Sequence, residues 1–187
     1  MKTLSKFLTF AFIATLLVSC GGDDPVDYSV KDLDDIAGSY TGTCIISNTD
    51  GGVSPYTVEN ASVRLVRTAS TTSMALETGE SGLISQDILS NFKNSTDGTA
   101  ITFDIKAFSF TRTNLAYING WFSSPTWSNI SAVSVTINPS NDARYVKSTK
   151  TLTFSYTAKA SFKATPQGAT ELTLTPNIKF SYTVVRQ

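Results

Sequence analysis

The sequence predicts an all-β domain: an antiparallel up-and-down barrel of about eight to ten strands, with a β-sandwich as the alternative. Two observations carry this expectation. From Gly38 onward apolar residues recur at every second position, the period of half-buried strands. Turn-forming residues interrupt that pattern at short intervals, and only one stretch has helical spacing.

The clearest strand is Leu152-Thr-Phe154-Ser-Tyr156-Thr-Ala158-Lys-Ala160-Ser-Phe162, where apolar and polar residues alternate without a break. After Thr165-Pro166-Gln167-Gly168, a turn, Leu172, Leu174, Ile178, Phe180, Tyr182 and Val184 share the face of a second strand. Pro176 interrupts it, which implies a bulge or an edge where no N–H is needed. Shorter runs precede this hairpin. Tyr40, Gly42, Cys44 and Ile46 alternate, as do Val63 with Leu65 and Met74 with Leu76. Ile101, Phe103, Ile105 and Ala107 form another face, and Val133, Val135 and Ile137 the next, followed by a turn at Asn138–Asp142. The stretch Ser85–Phe92 has helical spacing, with Ser85 as N-cap and Ile88, Leu89 and Phe92 on one side.

Composition narrows the function classes. The 187 residues carry 15 basic and 15 acidic side chains and no histidine. Charged residues make up only 16%, against about 25% in an average soluble chain, and Ser and Thr fill the polar positions. Without a basic excess, phosphate neutralisation is poorly served, so nucleic acid is not an expected partner. A histidine-free chain has no Ser–His or Cys–His pair and lacks the usual zinc ligands. Acidic residues are scattered, and Asp104 lies on a strand opposite Phe103 and Ile105, a pattern of solvated side chains rather than of an acid–base pair. No enzyme activity and no cofactor are therefore expected.

The N-terminus reads as a leader over residues 1–19. Lys2 and Lys6 supply a positive start, and Phe7–Val18 is apolar apart from Thr9 and Thr15. This run is shorter than the about 20 apolar residues of a membrane span and suits a signal peptide. It ends in Leu17-Val18-Ser19-Cys20, which resembles a bacterial lipobox. The resemblance implies lipidation of Cys20, cleavage before it, and a membrane partner held through several acyl chains, each buried methylene contributing about 0.8 kcal/mol. Cys44 is then the one remaining thiol, and its expected place is inside a strand.

Residues 20–35 read as an acidic, flexible tether, with six aspartates, Lys31, Gly21, Gly22 and Pro25. Asp23-Asp24 resembles the surface-export signal of some outer-membrane lipoproteins, which implies an outer-membrane location with display at the cell surface; a plain spacer is the alternative. Residues 36–187 form the single remaining domain.

Asp35-Ile-Ala-Gly38-Ser-Tyr40-Thr-Gly42-Thr43 resembles the opening of calycin-like or lipocalin-like domains of bacterial outer-membrane lipoproteins. In that resemblance Gly38-x-Tyr40 stands at the motif that begins the barrel, with Tyr in place of Trp, and Arg186 stands at the late Arg that packs over the ring. It implies an interior site for a small apolar ligand. The segment Tyr117-Ile-Asn-Gly-Trp121-Phe122-Ser-Ser-Pro-Thr-Trp127 holds both tryptophans. Tyr117, Trp121, Phe122 and Trp127 are candidates for the mouth of such a site, or for a core plug. The competing function is a cell-surface module of sandwich type that recognises glycan or protein through exposed rings.

Overall fold

The computed structural model describes residues 27–31, 33–51, 54–80, 83–112, 127–128, 133–166 and 172–187. It is all-β apart from one turn of 3-10 helix, Leu33–Asp35. The strands are β1 (Gly38–Asn48), β2 (Tyr56–Arg67), β3 (Ser73–Thr78), β4 (Leu83–Asn94), β5 (Ala100–Ile105) and β6 (Phe108–Arg112). They continue with β7 (Trp127–Ser128), β8 (Val133–Ile137), β9 (Ser140–Val146), β10 (Thr151–Pro166), β11 (Leu172–Leu174) and β12 (Asn177–Arg186).

Every pairing is antiparallel, and β1, β2, β3, β4, β5, β9, β10 and β12 follow one another until β12 pairs with β1. The first and last long strands thus close a hydrogen-bonded ring, which removes two sheet edges. This is the up-and-down order expected from the alternating pattern. The closure matches a barrel and not an open sandwich.

Three breaks turn long strands into pairs of shorter ones. Lys106 and Ala107 separate β5 from β6, and Asn138 and Pro139 separate β8 from β9. Because β6 pairs with β8 as β5 pairs with β9, the two breaks lie side by side and form one corner. Asn138–Asp142 is therefore a corner within a continuing strand rather than a hairpin turn, and Ser140–Asp142 already belong to β9. The third break is at Thr175-Pro176, between β11 and β12. Its register is unbroken: Phe162 faces Leu174 and Ala158 faces Ile178. Ala160 donates its N–H to the Pro176 carbonyl at 3.0 Å, while the reciprocal bond is impossible for proline.

The helix expected over Ser85–Phe92 is strand β4. Its pairing with β5 shifts between Ser90 and Lys93, and Asn91 sits there with φ 55°. A bulge of this kind inserts a residue and re-aims the side chains. Ile88, Leu89, Ser90 and Phe92 are consequently all buried, a spacing that imitates a helix face.

Inward-facing residues fill the ring. Phe154 stacks on Tyr182 at 4.6 Å between ring centroids, and Tyr156 stacks on Phe180 at 5.4 Å. Cys44 is buried among them, as expected for a structural thiol. Packing reaches back beyond residue 36. Leu33 is 1% exposed and joins Ile36 in the core, and Tyr28 and Val30 hydrogen-bond to β4.

Candidate functional site

Three regions bear on function: the closing seam of the ring, its aromatic interior, and a cleft on its outside.

At the seam Tyr40 faces Arg186 across β1 and β12. Gly38 precedes them with φ 146°, and a Cβ there would lie 3.0 Å from the Arg186 Nε. The Arg186 guanidinium passes this glycine and donates to the Asp35 carbonyl at 2.8 Å. Tyr40 turns inward, donating to the Ile36 carbonyl at 2.5 Å and meeting Tyr145 edge-on. Burial raises the Tyr40 phenol well above its ordinary pKa, as does nearby Tyr145. Gly38, Tyr40 and Arg186 therefore come together at one end of the ring, where Leu33 and Ile36 plug it.

The interior holds a buried polar group amid the rings. Thr78 and Tyr156 hydroxyls share a 3.1 Å hydrogen bond. Tyr182, 2% exposed, aims its hydroxyl among Thr78, Tyr156 and Cys44 without completing a bond of good geometry. Burial pushes the Cys44 thiol up to about 12, so it is protonated at neutral pH. This interior is a packed core of stacked rings, and a protonated, enclosed thiol has no nucleophilic role there.

Cys20, Tyr117, Trp121 and Phe122 lie outside the described residues, as does the side chain of Trp127. The backbone of Trp127 pairs with Pro166 at the far end of β10. Arg112 and Val133, which flank the aromatic segment, lie at the end of the ring opposite the Leu33–Ile36 plug.

The cleft was not visible in the sequence. Tyr28–Val30 runs along β4 beyond the start of β3: Asn94 donates to the Tyr28 carbonyl at 2.5 Å and Val30 to the Phe92 carbonyl at 3.3 Å. Between this segment, the β4 bulge and the corner at Pro139–Asn141 opens a cavity of about 1320 Å³. Most of the residues around it have polar side chains, and Val30, Leu33, Phe92, Ile105 and Pro139 add apolar surface. Asn91 donates its carboxamide to the Asp104 Oδ2 at 2.6 Å. Ser90 is 6% exposed, and its buried hydroxyl has no hydrogen-bond partner. Lys31 at the rim pairs with Asp27, whose carboxyl it holds well below the usual range. Among the described residues no group of His, Cys, Asp and Glu side chains has the arrangement of a metal site.

No protein-family model and no curated protein matches the chain. One similar solved structure is a candidate outer membrane protein from Bacteroides fragilis NCTC 9343, at 15% identity and a TM-score of 0.31. The match covers 82% of this chain and 52% of that one, so the chain spans about half the other's length. A likeness of that degree extends to neither fold nor function.

The site residues read from the sequence thus separate. Gly38, Tyr40 and Arg186 form a structural closure, while the aromatic segment Tyr117–Phe122 lies outside the described residues. The cleft residues carried no sequence signal beyond Asp104, because outward polar positions on strands look alike whatever they face.

Proposed function

We propose that the chain is a lipid-anchored, non-enzymatic binding lipoprotein of the bacterial outer membrane, acylated at Cys20. One observation carries the reading. The segment that follows Cys20 docks on β4 and plugs one end of the ring through Leu33 and Ile36. An anchor attached there turns that end toward the membrane and presents the opposite end, where Arg112 and Val133 lie, away from it. The sequence pattern of the leader supports acylation independently. The calycin-like resemblance and the lack of histidine support binding rather than catalysis.

Two ligand classes compete. A small apolar ligand would enter at the far end, past Tyr117, Trp121, Phe122 and Trp127. The stacked rings of Phe154, Tyr156, Phe180 and Tyr182 occupy the middle of the ring and leave it to that end alone. The second class, a surface glycan or protein, is favoured by the cleft along β4 and β5, which mixes polar and apolar surface.

The anchor is tested by expressing the full chain in a Gram-negative host fed labelled palmitate. The label is expected in the membrane fraction and absent from Cys20→Ser. A labelled Cys20→Ser chain, or an unlabelled native one, overturns acylation at this residue. Native mass spectrometry after incubation with envelope lipid extract reads the apolar class separately. A bound mass lost in Trp121→Ala supports it.

A further inference from the structure

We propose that the cleft between Tyr28, the β4 bulge and the Pro139–Asn141 corner is a saccharide-binding site. The proposal rests on the binding-module reading above and deepens its glycan branch.

Four features point to this ligand class. First, the cavity of about 1320 Å³ exceeds the roughly 300–1,000 Å³ of ordinary small-molecule pockets and is open along its length, which suits several linked rings. Second, its polar groups combine acceptors and donors at close range. Asn91 occupies one oxygen of Asp104, leaving Oδ1 without a protein donor among the described residues. Lys106 makes no ion pair among them. A sugar hydroxyl both donates and accepts, so neighbouring hydroxyls can donate to Asp104 and accept from Lys106. Third, Ser90 lines the cleft and keeps a buried hydroxyl without a hydrogen-bond partner, an uncommon arrangement in a folded chain. Fourth, half-buried Tyr28 is among the residues that line the cleft, an aromatic side chain of the type on which sugar rings stack.

A left-handed backbone at a non-glycine residue such as Asn91 costs energy, and here it directs the carboxamide onto Asp104.

The test uses the processed, detergent-solubilised lipoprotein in affinity gel electrophoresis, with dextran, yeast mannan and polygalacturonate cast separately in the gel. At least one of these is expected to retard the native protein. Asp104→Asn and Lys106→Ala are expected to weaken that retardation at least tenfold, while Glu59→Gln, on exposed β2, leaves it unchanged. Lys106 is exposed, so its loss leaves the fold intact and keeps the test valid if Asp104→Asn unfolds. A neutral polysaccharide as ligand assigns recognition to hydroxyls, and polygalacturonate alone assigns it to uronates held by the lysine; either supports the proposal. Retardation by none of the three, or retardation insensitive to both variants, overturns it. Palmitate labelling is unaffected by that result, so the anchor reading stands or falls by itself.

Discussion

Arg186 donates a hydrogen bond from its guanidinium to the carbonyl of Asp35, joining the last strand to the segment that enters the first. This bond locks the closing seam of the ring from outside while Tyr40 locks it from inside. Arg186→Ala is expected to destabilise the domain by about 1–2 kcal/mol, the range for a hydrogen bond to a charged group near the surface. The midpoint of urea unfolding reads it, and Arg186→Lys should recover only part, since an ammonium cannot span the same path beside Gly38.

Gly42 provides a sharper test of closure. A Cβ there would lie 2.3 Å from the Thr183 carbonyl oxygen and 2.7 Å from the Val184 Cα, both backbone atoms of β12. Neither can rotate away. Gly42→Ala is expected to cost about 3 kcal/mol or more. Amide exchange should then rise first along β1 and β12, and uniform exchange across all strands would refute a seam-specific defect.

The buried hydroxyls predict opposite signs. Tyr156 shares a hydrogen bond with Thr78, so Tyr156→Phe is expected to lower stability by about 1 kcal/mol. Tyr182 carries a desolvated hydroxyl without a good partner, so Tyr182→Phe is expected to raise it by a similar amount, about 1 kcal/mol. Thermal melts of the two variants side by side decide the matter.

Acid should reveal the Ser95–Thr99 turn. The Ser95 hydroxyl and the Thr99 N–H and hydroxyl hold the Asp97 carboxyl down to about 2, against 3.8 ordinarily. A depressed carboxylate stabilises the fold above its unfolded pKa and loses that contribution as pH falls through the folded one. Wild type should therefore exceed Asp97→Asn in melting temperature at pH 7, and the gap should close between about pH 4 and pH 2. A gap independent of pH would remove the carboxylate from the account.

In a chain carrying Cys20→Ser, Cys44 is the one thiol, buried and protonated. Its reaction with an aromatic disulfide reagent is expected to be at least about 100-fold slower in the native protein than in urea, because only the exposed thiolate attacks. Fast labelling without denaturant would mean that the ring opens around β1.

The alternation at 152–162 and 178–184 made β10 and β12 legible because one face of each is wholly interior, which leaves a strict period in the side chains. Tyr40 and Arg186 face each other across β1 and β12, with the guanidinium on the Asp35 carbonyl rather than over the Tyr40 ring. Ile88, Leu89 and Phe92 misled because the bulge at Asn91 breaks the strand period, and nothing local distinguishes that from a helix face. The cleft was illegible for a different reason. Tyr28, Ser90, Asp104 and Asn141 meet only after β4, β5 and β9 have paired and the N-terminal segment has docked beside them. Long-range pairing leaves no mark in any window of the chain.

The bonding of Tyr28–Val30 to β4 has a mechanical meaning. If Cys20 is held in a membrane, drag on the domain enters through residue 27 and meets that short pair before it reaches Gly38. A pull away from the plugged end loads the Tyr28 and Val30 backbone bonds together in shear, where peeling one bond at a time is prevented. The seam of β1 and β12 is thereby shielded, as a cable is by the clamp at its plug. The residues that wall the cleft are also the ones that bear the tug of the anchor, so tension on the tether and occupancy of the cleft act on the same three residues.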